Sequence, residues 1–428
     1  MMKTNRVMTG QLGAAATMTI LIKKLFILMI ALMLPVAMAA PLTVINGKFS
    51  KDGIPFNGVG VNYFNGFTRY ALSGNDQSWK IGLATLNKYQ IPFIRMETFG
   101  FWSTDIQNQY LNNKTQFYDR LDTFMNEAAT QNVGVIMSLF FNFTALPELN
   151  KENYSAWGDA NSATRKMMRS MTYEIVARYK GHPALWGWEF NNETNQFMDL
   201  PDSVDNYRWL PPRNDRMPRT RLDNFTVKTI LPAMEEFADI IRSLDSSTPI
   251  FSGNNSSRFD SYHLYKLNSW DADTPEQYGL IISRDNAGKV NTLSIHLYPD
   301  TEGTLFGKQR STYSDILAAV MARSAIDGRP FFLGEFGTND ATLGNDGARQ
   351  KFVQITDAIL KNRIPLSAAW AFDLFQQTGT YNITESNARA YQLDIIKSMN
   401  QTMKTWNKYP PTKPRHLKSA IKNGQLNR

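Results

Sequence analysis

Eight short runs of branched and aromatic residues, separated by longer stretches of helical period, constrain the fold of this chain more than any other feature. They occupy residues 58–64, 92–98, 134–142, 185–193, 249–253, 292–298, 330–337 and 367–374. Such runs fit strands buried on both faces, as in a parallel sheet whose crossovers are helices. Segments 115–130, 163–179, 227–244, 313–325, 348–360 and 388–406 place apolar residues three and four apart, leaving polar faces for water. Eight strand and helix units of this kind predict an α/β fold, a (β/α)8 TIM barrel.

Ahead of the first strand, residues 42–56 read as a β-hairpin, with Asn46-Gly47 and Asp52-Gly53 as turns, placed to plug the barrel floor. After the fourth strand, residues 194–222 form an extended loop with Pro201, Pro211, Pro212, Pro218 and five arginines. Its length fits either a functional lid or cleft wall, or a tolerated surface insertion.

Lys23 and Lys24 precede an apolar run from Leu25, followed by Ala37-Met38-Ala39. This is the pattern of a signal peptide over residues 1–39, cleaved after Ala39, and it predicts a secreted or periplasmic protein. An uncleaved membrane anchor is the competing reading, and Met18 competes with Met1 as the start. No cysteine is present, so stability comes from packing without disulfides.

The formal charge of +8 is concentrated at the ends. Removing the leader's four basic residues leaves +4, and removing the seven of residues 404–428 leaves −3. That distribution argues against a nucleic-acid partner, whose binder would gather its cations on a folded face. Residues 40–408 are the expected domain, and 409–428 a basic, disordered tail.

The chemistry is carried by Glu193 and Glu335, which close the fourth and seventh runs. In this fold the active site lies at the carboxyl ends of the strands. Two carboxyl groups across one pocket are suited to cleaving a glycosidic bond with retention. Alternation puts Glu193 on the face of Glu189, with Trp186, Trp188 and Phe190 pointing the other way.

Taken in order, Gly58-Val59-Gly60-Val61-Asn62-Tyr63, Ile94-Arg95, Asn192-Glu193, Ser294-Ile295-His296-Leu297-Tyr298, Gly334-Glu335-Phe336-Gly337 and Ala369-Trp370 resemble the strand ends of glycoside hydrolase family 5. This family belongs to the large retaining (β/α)8 clan, and the similarity spans about residues 42–406. The resemblance implies Glu335 as nucleophile and Glu193 as general acid/base. Arg95 and Tyr298 would keep the nucleophile ionised, Asn192 would hold the sugar 2-hydroxyl, and His296 would orient the acid/base or bind substrate. Trp370 would be the platform under the sugar, and Tyr63, Phe64, Trp102 and Trp270 would be further subsites.

Bland roles compete: an ion pair of Arg95 with Glu97 or Glu189, and core packing for His296, Trp370 and the other aromatics. Two departures stand out: Thr194 follows the acid/base where proline is common, and Ser138-Leu139-Phe140-Phe141-Asn142 lacks a histidine common there.

The resemblance implies a monomeric hydrolase acting on a β-glycan, endo-β-1,4-glucanase-like, with a mannanase or other hemicellulase as alternative. It implies no cofactor. A catalytically inactive carbohydrate-binding barrel and a transglycosylase also fit. The four histidines show no ligand spacing for zinc, so no metal is expected. Complete dinucleotide, phosphate-loop and serine-elbow motifs are absent from the sequence.

Overall fold

In the computed structural model of the chain, residues 41–99, 105–200, 210, 213–299, 305–307 and 311–406 are described. The leader 1–39 and the tail 409–428 lie outside them. Eight parallel strands form a nearly closed barrel with helices around it: β4 (Gly58–Asn62), β5 (Phe93–Glu97), β6 (Gly134–Phe140), β7 (Leu185–Asn191), β8 (Ile250–Phe251), β9 (Leu293–Leu297), β10 (Phe331–Phe336) and β11 (Leu366–Ala369). Their order is β8-β7-β6-β5-β4-β11-β10-β9. All eight runs therefore become barrel strands, and all are buried.

Between β8 and β9 side chains replace the backbone ladder. Thr292 Oγ1 donates to the Ile250 carbonyl at 2.7 Å, and the Ile250 amide donates to Asn291 Oδ1 at 2.8 Å.

The strands end earlier than the apolar runs. The eighth stops at Ala369, after which the Trp370–Ala371 peptide is cis and Asp373 adopts φ 49°. The fourth stops at Asn191, so Glu193 lies past the strand. Within β7 a register irregularity against β6, where Ile136 pairs with Gly187, turns Trp186 inward, contrary to simple alternation. Trp188 and Phe190 do face the helices, packed in the outer core.

The N-terminal residues form a small antiparallel sheet, β1 (Thr43–Ile45), β2 (Lys48–Lys51) and β3 (Ile54–Pro55). Its turns carry positive φ at Asn46, Gly47, Asp52 and Gly53, as two-residue hairpin turns require. Leu42 and Phe49 pack with Phe93, Ile136, Trp186, Phe251, Phe332 and Leu366 in one buried cluster. Phe56 meets Trp186 edge-on at 5.1 Å. This apolar plug seals the end of the barrel opposite the strand carboxyl ends.

Candidate active site

Strand register sets the site. β4 and β5 pair Asn62 with Arg95, and β9 and β10 pair His296 with Glu335. Arg95 is fully buried, and its Nε lies 2.8 and 2.9 Å from the two oxygens of Glu189. Its Nη1 donates to Glu335 Oε1 at 2.7 Å and to Asn62 Oδ1 at 3.0 Å, and its Nη2 donates to Asn192 Oδ1 at 2.8 Å. The guanidinium lies over the Phe141 ring, 5.0 Å from the centroid. The ion pair foreseen for Arg95 is thus formed with Glu189, and the same guanidinium also reaches Glu335. Glu97 is not a partner; it accepts from Thr68 Oγ1 instead.

Glu335 is buried, and its second oxygen accepts from the Tyr298 hydroxyl at 2.6 Å. Burial pushes its carboxyl above the ordinary value, and Glu193 adds to the rise. The His296 ring, Arg95 and the Tyr298 hydroxyl pull the other way. Burial beside the two carboxyl groups carries the Tyr298 phenol well above its ordinary value, so it stays a donor.

Glu193 adopts a left-handed conformation, φ 53° and ψ 20°, which costs a residue with a Cβ about 1–2 kcal/mol. The bend is fixed from the segment just past β8: the Glu193 amide donates to the Gly253 carbonyl at 2.8 Å. Gly253 has φ 76°, and a Cβ there would stand 1.7 Å from the Asn191 carbonyl oxygen. Only glycine allows this approach. The bend aims Glu193 into the cleft, where its side chain is 26% exposed.

His296 Nδ1 lies 2.8 Å from Glu193 Oε1 and 3.6 Å from Glu335 Oε2, and Gln196 Nε2 donates to Glu193 Oε2 at 2.8 Å. Burial lowers His296 to about 3, so the ring is neutral. Nδ1 then carries the proton toward the carboxylate.

One donor atom from each of Glu193, His296 and Glu335 lies within 4.8 Å of the others, and this is the grouping among the described residues that could hold a metal. The Arg95 guanidinium on Glu335 disfavours a cation there, and the donor set fits proton transfer better than coordination.

These groups open into a cleft of about 1020 Å³, lined also by Asn192, Trp370 and Tyr381. The Trp370 Nε1 donates to Gln377 Oε1 at 2.7 Å, and its ring meets Phe64 edge-on at 5.4 Å. All seven expected site residues therefore gather at one end of the barrel. Of the aromatics expected as subsites, Phe64 lines the cleft. Tyr63 is buried and donates to Asp373 at 3.0 Å, Trp270 is exposed outside the lining, and Trp102 lies outside the described residues. Phe141 supplies an apolar surface just past the third barrel strand. The long connection contributes Gln196 to the cleft, while its later part is tied down by Arg213 to Asp223 at 2.9 Å. Asn62, Gln196 and Tyr381 were not anticipated. Asn62, at the end of a buried strand, was the one with a legible signal.

Residues 50–373 match the family described as Cellulase (glycosyl hydrolase family 5). The chain belongs to glycosyl hydrolase family 5. No curated protein matches it. Among solved structures, an endo-1,4-beta-mannanase from Rhizomucor miehei is similar, with TM-score 0.61 and 17% identity over 86% of this chain and 100% of that one. A glycoside hydrolase family 5 mannosidase from the same organism gives 0.60 at 13% identity, covering 86% and 99%. An endocellulase from Pyrococcus horikoshii, in a cellotetraose complex, gives 0.54 at 13%, covering 85% and 99%. At these identities the likeness establishes the shared barrel. Membership of the family makes the chain a glycosidase in general kind. Among the described residues, no helix is long and apolar enough to cross a membrane.

Proposed function

We propose that this family 5 member is a retaining β-glycosidase, endo-acting on a β-1,4-linked glucan or related hemicellulose. The observation that carries the reading is the convergence of Glu193 and Glu335, with an oxygen of each within 4.8 Å. Retention calls for carboxyl groups about 5–5.5 Å apart, whereas inversion needs room for a water between them.

Glu335, oriented by Arg95 and Tyr298, attacks the anomeric carbon as the bond to the leaving oxygen breaks. Glu193 gives that oxygen its proton. In the second step Glu193 takes a proton from water, the hydroxide attacks the anomeric carbon, and Glu335 leaves as a carboxylate. Neutral His296 steadies Glu193, Asn192 holds the 2-hydroxyl, and Trp370 offers its ring to the sugar face.

A mannan backbone is the second reading. The run Trp188-Glu189-Phe190-Asn191-Asn192-Glu193 is as similar to mannan-cleaving members as to cellulose-cleaving ones, and a mannanase and an endocellulase share the fold. On this proposal residues 1–39 direct export and are removed, and residues 40–408 act as a monomer outside the cytoplasm.

The test is hydrolysis of cellulose, mixed-linkage glucan, mannan, xylan and xyloglucan by the parent and by Glu335→Gln, with the first product anomer read by NMR. A β-configured product that disappears with Glu335→Gln is expected. An α-configured first product would end the retaining reading. A parent that binds these glycans and cleaves none would favour the binding barrel.

A further inference from the structure

One carboxyl group in the cleft has no part in the reaction just described. Glu97 ends β5 two residues beyond Arg95, so strand alternation gives it the same inward face. It is 5% exposed and lines the cleft together with Glu193 and Glu335. Its Oε1 accepts from Thr68 Oγ1 at 2.8 Å, whereas its Oε2 has no hydrogen-bond partner among the described residues.

Among the described residues its surroundings offer it no counter-ion. Arg95 is committed to Glu189, Glu335, Asn62 and Asn192. Arg69, the one cation among the described lining residues, is paired with Asp373 at 2.9 Å. A buried carboxyl oxygen without a partner, at the wall of a sugar-sized cleft, is a position that a ligand hydroxyl would complete.

We propose that Glu97 is a specificity-determining residue that holds a hydroxyl of the bound glycan through Oε2, so that the cleft takes an uncharged sugar at this position. The inference rests on the glycosidase reading above. Burial lifts the Glu97 carboxyl to about 8, so it carries its proton at neutral pH. Oε2–H then donates to a sugar oxygen while Oε1 stays with Thr68. A uronic acid would bring a carboxylate to a wall whose described cation, Arg69, is already paired, and which also holds Glu193 and Glu335. A neutral sugar meets no such penalty. Because a ring seated over Glu97 removes it further from water, binding weakens as pH rises past about 8.

The experiment is calorimetric titration of cellohexaose and mannohexaose, at pH 6 and pH 9.5, into Glu335→Gln protein, which cannot form the glycosyl-enzyme. That protein is expected to bind at least one of the two. Adding Glu97→Ala weakens the Kd about tenfold or more, while adding Glu97→Gln, which keeps one donor and one acceptor, changes it less than about threefold at pH 6. The weakening from pH 6 to pH 9.5 appears with Glu97 and vanishes with Glu97→Gln.

Unchanged Kd with Glu97→Ala, accompanied only by a lower melting temperature, would make Glu97 a purely structural partner of Thr68 and overturn the proposal. If Glu97→Ala does not fold, an alkaline weakening that persists with Glu97→Gln overturns it equally. Failure of Glu335→Gln to bind either oligosaccharide is a separate result, which removes the glucan and mannan readings of the cleft and this inference with them.

Discussion

Arg95 Nη1 lies 2.7 Å from Glu335 Oε1, and the same guanidinium reaches Asn192, the residue before Glu193. A single buried cation therefore braces one glutamate directly and the backbone neighbour of the other.

Arg95→Met leaves Glu189 and Glu335 buried without their cation. Breaking a buried pair from one side costs about 3–5 kcal/mol of stability, and loss of a fixed donor beside the reacting group costs about 10²–10³ in kcat. Chemical denaturation and steady-state kinetics on the same variant read both. Arg95→Lys rescues little, since an ammonium cannot reproduce the fork to Glu189, Glu335, Asn62 and Asn192. A stable, active Arg95→Met protein would refute the bracing role.

Glu193→Ala separates the two steps. Polysaccharide cleavage, which needs leaving-group protonation, falls by about 10²–10⁴. A dinitrophenyl glycoside, whose leaving group needs no proton, still shows a rapid burst of phenolate. Equal loss on both substrates would show that Glu193 is not the acid.

The stability of the protein should carry the signature of Glu97. Its carboxyl sits near 4.5 when unfolded and about 8 when folded, so between those values the folded state binds the extra proton. Stability attributable to this group is therefore present at acid pH and is lost as pH rises through that window, by up to about 1.4 kcal/mol per pH unit. Glu97→Gln removes the loss. Its melting temperature should match the parent's near pH 4, exceed it increasingly toward pH 8, and keep a constant margin above. A margin independent of pH would contradict the assignment.

His296 should remain neutral through the range where a free imidazole takes up its proton. With its folded value lowered to about 3 by burial, the unfolded chain takes up a proton below about 6.5 that the folded chain refuses, so this group erodes stability as pH falls. Ring nitrogen NMR from pH 7 to pH 5 should show one histidine fixed in the Nδ1–H form. A His296 signal that moves over this range would rule out the neutral donor.

Trp186→Ala tests the floor independently of the chemistry. Removing that ring from the cluster with Phe93, Phe49 and Phe332 should cost about 3–5 kcal/mol, with kcat of the folded fraction unchanged. A selective loss of kcat at full stability would show that the plug reaches the site.

The barrel was legible because its strands are buried on both faces and so read as apolar runs with no need of a fine period. The convergence of Glu193 and Glu335 was legible because each glutamate lies at the end of such a run. Helix Pro275–Asp285 was missed although Thr274 and Gln277 form a capping box at its start; its moderate amphipathicity hid it among loop residues. Trp186 was placed on the wrong face because a one-residue bulge leaves no mark in the apolar pattern. Gln196 and Tyr381 come to the cleft from connections whose path is set by tertiary packing, which local sequence does not encode.

The stitched junction where Ile250 meets Asn291 and Thr292 through side chains leaves the ring of strands with unequal stiffness. Glu335 lies on β10, which pairs with β9 and β11 on either side, whereas Glu193 takes its bend from Gly253, three residues past Ile250. Breathing of the barrel on warming would thus start at the joint beside the segment that gives Glu193 its bend. Tightening this one joint is the place to begin if the enzyme is to be made to work hotter.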